Sequence, residues 1–242
     1  LPASGVHIVQ SSTSSAVDNS CVLTNFVTVE NSTSLELSSD TPGTKAVISG
    51  TRTLLFGLLP QGKRLFFLEE KSNLTLTDLI LEKGTHKESG GCIYALELAR
   101  IRMTRTVVRD CQAQNGGGLH LGQGSVLILE DTLFELNVAV NGGGAIFMTG
   151  TTMDIVVGSS ATFASNKVVG LPLIPPLLQD AAPKDSKTYL GGALYMEKAS
   201  SIRVTGAGTK LIVHSNAAGN FLGDQAKAGV VVCTCEENQP CP

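Results

Sequence analysis

A pair of adjacent glycines recurs along the chain, at Gly90-Gly91, Gly116-Gly117, Gly143-Gly144 and Gly191-Gly192. The second glycines lie 26, 27 and 48 residues apart. The last interval is therefore one period with about 22 residues added. Each pair leads into a small residue, an aliphatic one, a ring and an apolar one. The four copies read Cys92-Ile93-Tyr94-Ala95, Gly118-Leu119-His120-Leu121, Ala145-Ile146-Phe147-Met148 and Ala193-Leu194-Tyr195-Met196. A second stretch follows each pair, with Ile101/Met103, Leu127/Leu129 and Ile202/Val204 at matching offsets. In the third copy Met153, Ile155 and Val157 are displaced by one residue, which requires one turn of different length. A third stretch carries an apolar residue, two variable ones and asparagine: Phe134 to Asn137, Phe163 to Asn166 and Val213 to Asn216, with Val108 to Cys111 in the first copy.

Three short strands in about 26 residues are too few for a propeller blade, and apolar residues spaced by two exclude a helical repeat. The pattern predicts an all-β fold, a right-handed parallel β-helix (a solenoid) of about 26 residues per coil. Inward side chains of successive coils stack ~4.8 Å apart into one column. Glycine and asparagine are expected at the bends, because both tolerate positive φ. Leu65 to Leu68, Leu74/Leu76 and Leu79 to Leu81 trace the coil before Gly90, and Val27/Val29, Leu35/Leu37 and Val47/Ile48 the one before that. Residues 1–242 are thus read as a single β-helix domain. Within it, 1–25 form an N-terminal cap, 167–189 a loop insertion between coils, and 228–242 a Cys-containing C-terminal end.

The formal charge is −3 and no basic block exists, which argues against binding nucleic acid through its phosphates. No apolar run reaches the ~18 residues of a transmembrane span. The first residue is Leu1, as in a mature or trimmed product. Cys21, Cys92, Cys111, Cys233, Cys235 and Cys241 are disulfide candidates, and an even number permits several pairings. Two glycosylation sequons begin at Asn31 and Asn73. Together these features favour an oxidising setting: secreted, extracellular or at the cell surface.

Gly143-Gly144-Ala145-Ile146 and Gly191-Gly192-Ala193-Leu194 resemble the GGA[ILV] signature of polymorphic outer membrane protein repeats. Phe134-Glu135-Leu136-Asn137 and Phe163-Ala164-Ser165-Asn166 resemble its FxxN signature. The resemblance covers residues 65–220 and implies a parallel β-helix of the pectin-lyase-like kind, displayed on a cell surface and often adhesive. No β-barrel translocator is expected within these residues, a departure from that family, and similar repeats occur in large extracellular proteins of algae and other protists.

Parallel β-helices also carry enzymes that act on acidic glycans, but no Asp-Asp pair, Gly-His-Gly or stacked carboxylate set suited to Ca²⁺ is present, so no catalytic residue is assigned. Arg105 and Asp131 share one offset from their glycine pairs, and Arg109 and Glu135 share another. Equal offsets make neighbours in adjacent coils, so two cross-coil ion pairs are expected, with a lyase-like or anion-binding cluster as the competing reading. Tyr94, His120, Phe147 and Tyr195 each follow an inward aliphatic residue, so alternation points them outward as a ladder. They form either a platform for sugar rings or a partner chain, or edge packing that stiffens the face. The apolar, proline-rich run Leu171 to Leu178 in the insertion suggests a lid or docking segment. His7, His86, His120 and His214 lack metal-ligand spacing; no metal and no cofactor is expected.

The leading expectation is an extracellular structural or adhesion module that presents a rigid interaction surface to a protein or glycan. It would form part of a surface coat or filament, with self-assembly included. The alternative is a polysaccharide lyase, epimerase or hydrolase on acidic glycans. Threonine arrays at Thr51 to Thr53 and Thr104 to Thr106 raise ice or mineral binding third.

Overall fold

The computed structural model describes residues 20–39, 43–53, 61–148, 154–169, 191–196, 201–205 and 208–218. Among them there is no helix, and nearly every strand belongs to one of four parallel sheets of seven, six, six and four strands. The first sheet contains the strands that follow the glycine pairs: Ile93–Ala95, Leu119–Leu121, Ile146–Met148 and Leu194–Met196, preceded by Val27–Val29 and Phe66–Leu68. The second runs through Ser34–Ser38, Asn73–Thr77, Arg100–Thr104, Val126–Glu130, Asp154–Val157 and Ser201–Val204. The third runs through Ser20–Leu23, Ala46–Gly50, Leu79–Glu82, Val107–Arg109, Thr132–Glu135, Ser160–Ala164 and Lys210–His214. From Ile93 onward the chain visits the sheets in rotation, an arrangement consistent with a solenoid.

Three strands per repeat were expected, and the structure adds a fourth. Gln112–Asn115, Val138–Gly142, Lys167–Val168 and Ala217–Ala218 form the fourth sheet, between the asparagine position and the next glycine pair. The chain stays extended there because its amides find carbonyls in the neighbouring pass. Lys167–Val168 opens the expected insertion as a paired strand, and residues 170–190, including Leu171 to Leu178, lie outside the described residues. At the other end of the expected cap, Ser20–Leu23 pairs with Ala46–Gly50.

Register follows the repeat. Ile93 pairs with Leu119, and Leu119 with Ile146, which in turn pairs with Leu194. Leu127 pairs with Ile155, so the one-residue displacement is absorbed between the first and second sheets. Alternation buries one side of each strand. Leu74, Ile101 and Leu127 form one fully buried column, Leu76, Met103 and Leu129 a second, and Val108, Phe134 and Phe163 a third. The Phe134 and Phe163 rings stack at 5.1 Å. Each such side chain contributes roughly 1.5–3 kcal/mol by leaving water.

The two glycines of a pair serve different needs. The first holds positive φ, 65° at Gly90 and 63° at Gly143, where a side chain would strain the backbone. The second is crowded by the next pass. A Cβ on Gly91 would collide with the Gly117 carbonyl, one on Gly117 with that of Gly144, and one on Gly144 with that of Gly192.

The asparagines do not take the positive φ expected of them. That conformation falls on the residue before, at Leu136, Ser165 and Ser215. The turn this makes aims each asparagine side chain inward. Asn137 Nδ2 donates to Asn166 Oδ1 and Asn166 Nδ2 to Asn216 Oδ1, both at 2.9 Å. The same oxygens accept the backbone N–H of Asn137 and Asn166, and the amides also donate to Val108 O and Phe134 O. A buried carboxamide has both a donor and an acceptor, so it can satisfy a neighbour above and below. Where the first copy lacks asparagine, Cys111 takes the place and bonds to Cys92. Its backbone N–H still donates to Asn137 Oδ1, at 3.1 Å.

Replacing Asn166 with Ala should cost about 3 kcal/mol, because it strands the Phe134 carbonyl and the Asn137 amide. A urea titration that shows less than about 1 kcal/mol would exclude a structural role for this ladder. Leu136 is 54% exposed and carries φ 56°, so Leu136→Asn should instead raise stability by about 0.5–1 kcal/mol in the same titration.

Candidate functional site

The first sheet sets the outer surface of interest. Its middle residues align as Thr28, Phe67, Tyr94, His120, Phe147 and Tyr195, one per strand. Their neighbours Phe66, Ile93, Leu119 and Ile146 are fully buried, so alternation puts the rings on the opposite side. The rings form one column. Phe67 to Tyr94 spans 5.7 Å between centroids, Tyr94 to His120 4.6 Å, His120 to Phe147 5.6 Å and Phe147 to Tyr195 4.7 Å. Interplanar angles run from 4° to 25°. Phe26 meets Phe67 edge-on at 6.3 Å.

This geometry bears on the sugar-platform reading. A sugar ring stacks on an open aromatic face, but in this column each inner face is covered by the next ring. What the column offers outward is ring edges and polar tips. Phe67 extends the ladder beyond the four residues read from the glycine pairs. It was missed because no such pair precedes it, although the match of Leu65 to Leu68 with the later coils could have found it.

Arg64 lies against the head of the column. Its guanidinium carbon sits 4.6 Å from the Tyr94 centroid and 5.5 Å from that of Phe67, a cation–π arrangement. Nη2 is 2.7 Å from His86 Nδ1, which also accepts the Glu88 backbone N–H at 3.2 Å. Arginine has only donors, so His86 is neutral with its proton on Nε2. Burial pushes Arg64 down to about 10. Burial, with the Arg64 charge beside it, also pushes the His86 and His120 imidazoles down to about 4.

The expected ion pairs, Arg105 with Asp131 and Arg109 with Glu135, do not form; each arginine binds the acid one repeat earlier instead. Arg105 donates from Nε and Nη2 to both oxygens of Asp78, each at 2.7 Å, and Arg109 binds Glu82 Oε2 at 3.0 and 2.8 Å. Register does place Arg109 opposite Glu135, but it equally places Arg109 opposite Glu82. Each arginine lies between two acids and takes the one before. Asp131 accepts hydroxyls from Ser159 and Ser160 instead. The Arg105 hydrogen bonds hold the Asp78 carboxyl below its usual range. Burial opposes ionisation of Glu82, but hydrogen bonds from Lys83 and Arg109 bring it below the ordinary value all the same. With Arg105 engaged by Asp78, the grouping is a structural ladder of alternating charge.

The remaining candidates are dispersed. Asn31 is exposed, whereas Asn73 is half-buried and its amide donates to Ser34 Oγ at 3.2 Å. Cys21 is unbonded among the described residues, and Cys233, Cys235 and Cys241 lie outside them. Among the described residues no group of His, Cys, Asp or Glu converges as a metal site, and no helix is long and apolar enough to cross a membrane. No family model matches the sequence, and no curated protein or solved structure matches it.

Both depressed histidines are neutral in the fold and charge more readily in the unfolded chain. Between the ordinary value of 6.5 and about 4 the unfolded state binds the extra protons, so stability falls as pH drops through that window. The charged groups facing His86 are Arg64, Lys87 and Glu88, and Arg64 faces His120. His120→Phe, which keeps a ring in the column, should flatten the fall measured by urea unfolding from pH 7 to pH 4. An unaltered slope would mean that His120 is not held neutral there.

Proposed function

We propose that this chain is an extracellular structural or adhesion module, a right-handed parallel β-helix of about 26 residues per coil whose outer face meets a partner. The resemblance to polymorphic outer membrane protein repeats belongs to the same proposal. One observation carries it: equal register through the first sheet lines up Phe67, Tyr94, His120, Phe147 and Tyr195 as a continuous outer column. Ring edges and hydroxyls held in fixed positions suit a contact surface, since little side-chain entropy remains to be lost on binding. The interior supports the reading. Stacked asparagines and a Cys92–Cys111 disulfide stiffen the same coils, and that disulfide fits an oxidising compartment outside the cytosol.

Beads coated with the protein should adhere to at least one member of a panel of immobilised extracellular proteins and glycans. The double substitution Tyr94→Ala with Tyr195→Ala should weaken retention about tenfold, while Tyr→Phe at both positions keeps the stack and controls for folding. Retention untouched by the alanine pair, in a protein of unchanged circular dichroism, would overturn the aromatic surface. Release of unsaturated product from a uronic acid polymer would overturn the non-enzymatic reading.

A further inference from the structure

The cation at the head of the column is placed unlike the other paired arginines. Arg102, Arg105 and Arg109 each bind a carboxylate across the sheet. Arg64 is 8% exposed, yet among the described residues it forms no ion pair. Among those residues its hydrogen-bond partner is the neutral His86, and its guanidinium lies over the Tyr94 and Phe67 rings. A charge withdrawn this far from water is ordinarily compensated by an opposite one. No Arg64 nitrogen is both shut off from solvent and without a partner, so those not bonded to His86 still touch solvent.

We propose that Arg64 is an anchor site for a carboxylate of a protein partner, an aspartate or glutamate side chain or a chain terminus. The inference deepens the contact-surface reading and rests on it. Donors are available there: the guanidinium N–H groups and the His86 Nε2–H fixed by its engaged Nδ1. Donors around a cation that forms no ion pair among the described residues select an acceptor-only anion. The stacked column chooses between sources of that anion. An acidic glycan gains most from aromatic faces, and here Tyr94 is covered by Arg64, Phe67 and His120. A peptide carboxylate needs the guanidinium fork and is content with ring edges beside it. Glu88 is the nearby acid, but its side chain is 69% exposed and lies 3.8 Å from Lys87.

The test observes the Arg64 Nε–H resonance in ¹⁵N-labelled protein, assigned by its disappearance in Arg64→Lys, which retains the charge. A short peptide carrying two glutamates should shift that resonance saturably, and the shift should shrink with added salt. The same peptide with glutamines should leave it in place. No shift at about 10 mM peptide overturns the site, because even millimolar affinity would be visible there. An equal or larger shift with trigalacturonate overturns the assignment to a protein carboxylate. If Arg64 is silent while the tyrosine-to-alanine pair still weakens adhesion, only the anchor fails and the contact surface stands.

Discussion

Backbone hydrogen bonds between equivalent residues of successive passes decide what every other position can be. Parallel pairing at equal register puts each side chain beside its own counterpart one repeat away, as Ile93 lies beside Leu119 and Leu119 beside Ile146. A side chain in such a fold is therefore judged by how well it tolerates its own kind. Aliphatic columns and stacked rings tolerate it well. Carboxamides tolerate it better still, because donor meets acceptor at each step from Asn137 to Asn216. Charges do not, and the two charged columns accordingly alternate, Asp78 with Arg105 and Asp131, Glu82 with Arg109 and Glu135.

The same constraint explains which parts were legible in the sequence. Glycine pairs stand out because close approach of one pass to the next excludes any Cβ, so the requirement repeats at every turn. The strands after them, and the alternating second stretch, could be placed from spacing alone. The ladder residues Tyr94, His120, Phe147 and Tyr195 followed from alternation. What spacing cannot express is choice between equivalent neighbours. It put Arg109 beside Glu135 but had no means to know that Glu82, at the same distance on the other side, would capture it. It saw asparagine at a bend and assigned the bend to asparagine, when the preceding residue carries the positive φ and the asparagine completes the turn from inside. The fourth sheet was missed for a simpler reason: pairs such as Lys167–Val168 and Ala217–Ala218 are too short to show a period.

Among the columns, the aromatic one is doubly determined. Stacking at 4.6–5.7 Å stabilises adjacent passes, each contact contributing about 0.5–1.5 kcal/mol beyond area. It also fixes the outer surface, since a ring held between two others cannot change rotamer alone. Rigidity and display are thus one property of the same residues. That dual role is why Tyr→Phe and Tyr→Ala separate so cleanly, one preserving the stack while removing the hydroxyl and the other removing both.

Arg64 breaks the rule that organises the rest. Among the described residues no later repeat sets a cation over a ring, and Arg64 is in direct contact with a neutral imidazole and π-electrons, with no acid in ion-pair range. The two imidazoles near it are pushed toward their neutral forms, so the fold has already removed competing positive charge from this corner. A purely structural cap on the column could be supplied by any apolar side chain without the desolvation of a guanidinium. Retaining a cation there, under conditions that depress its own proton affinity, is the less stable choice unless an anion arrives. The penalty falls when a carboxylate binds, which makes the head of the aromatic column the part of the surface with most to gain from a partner.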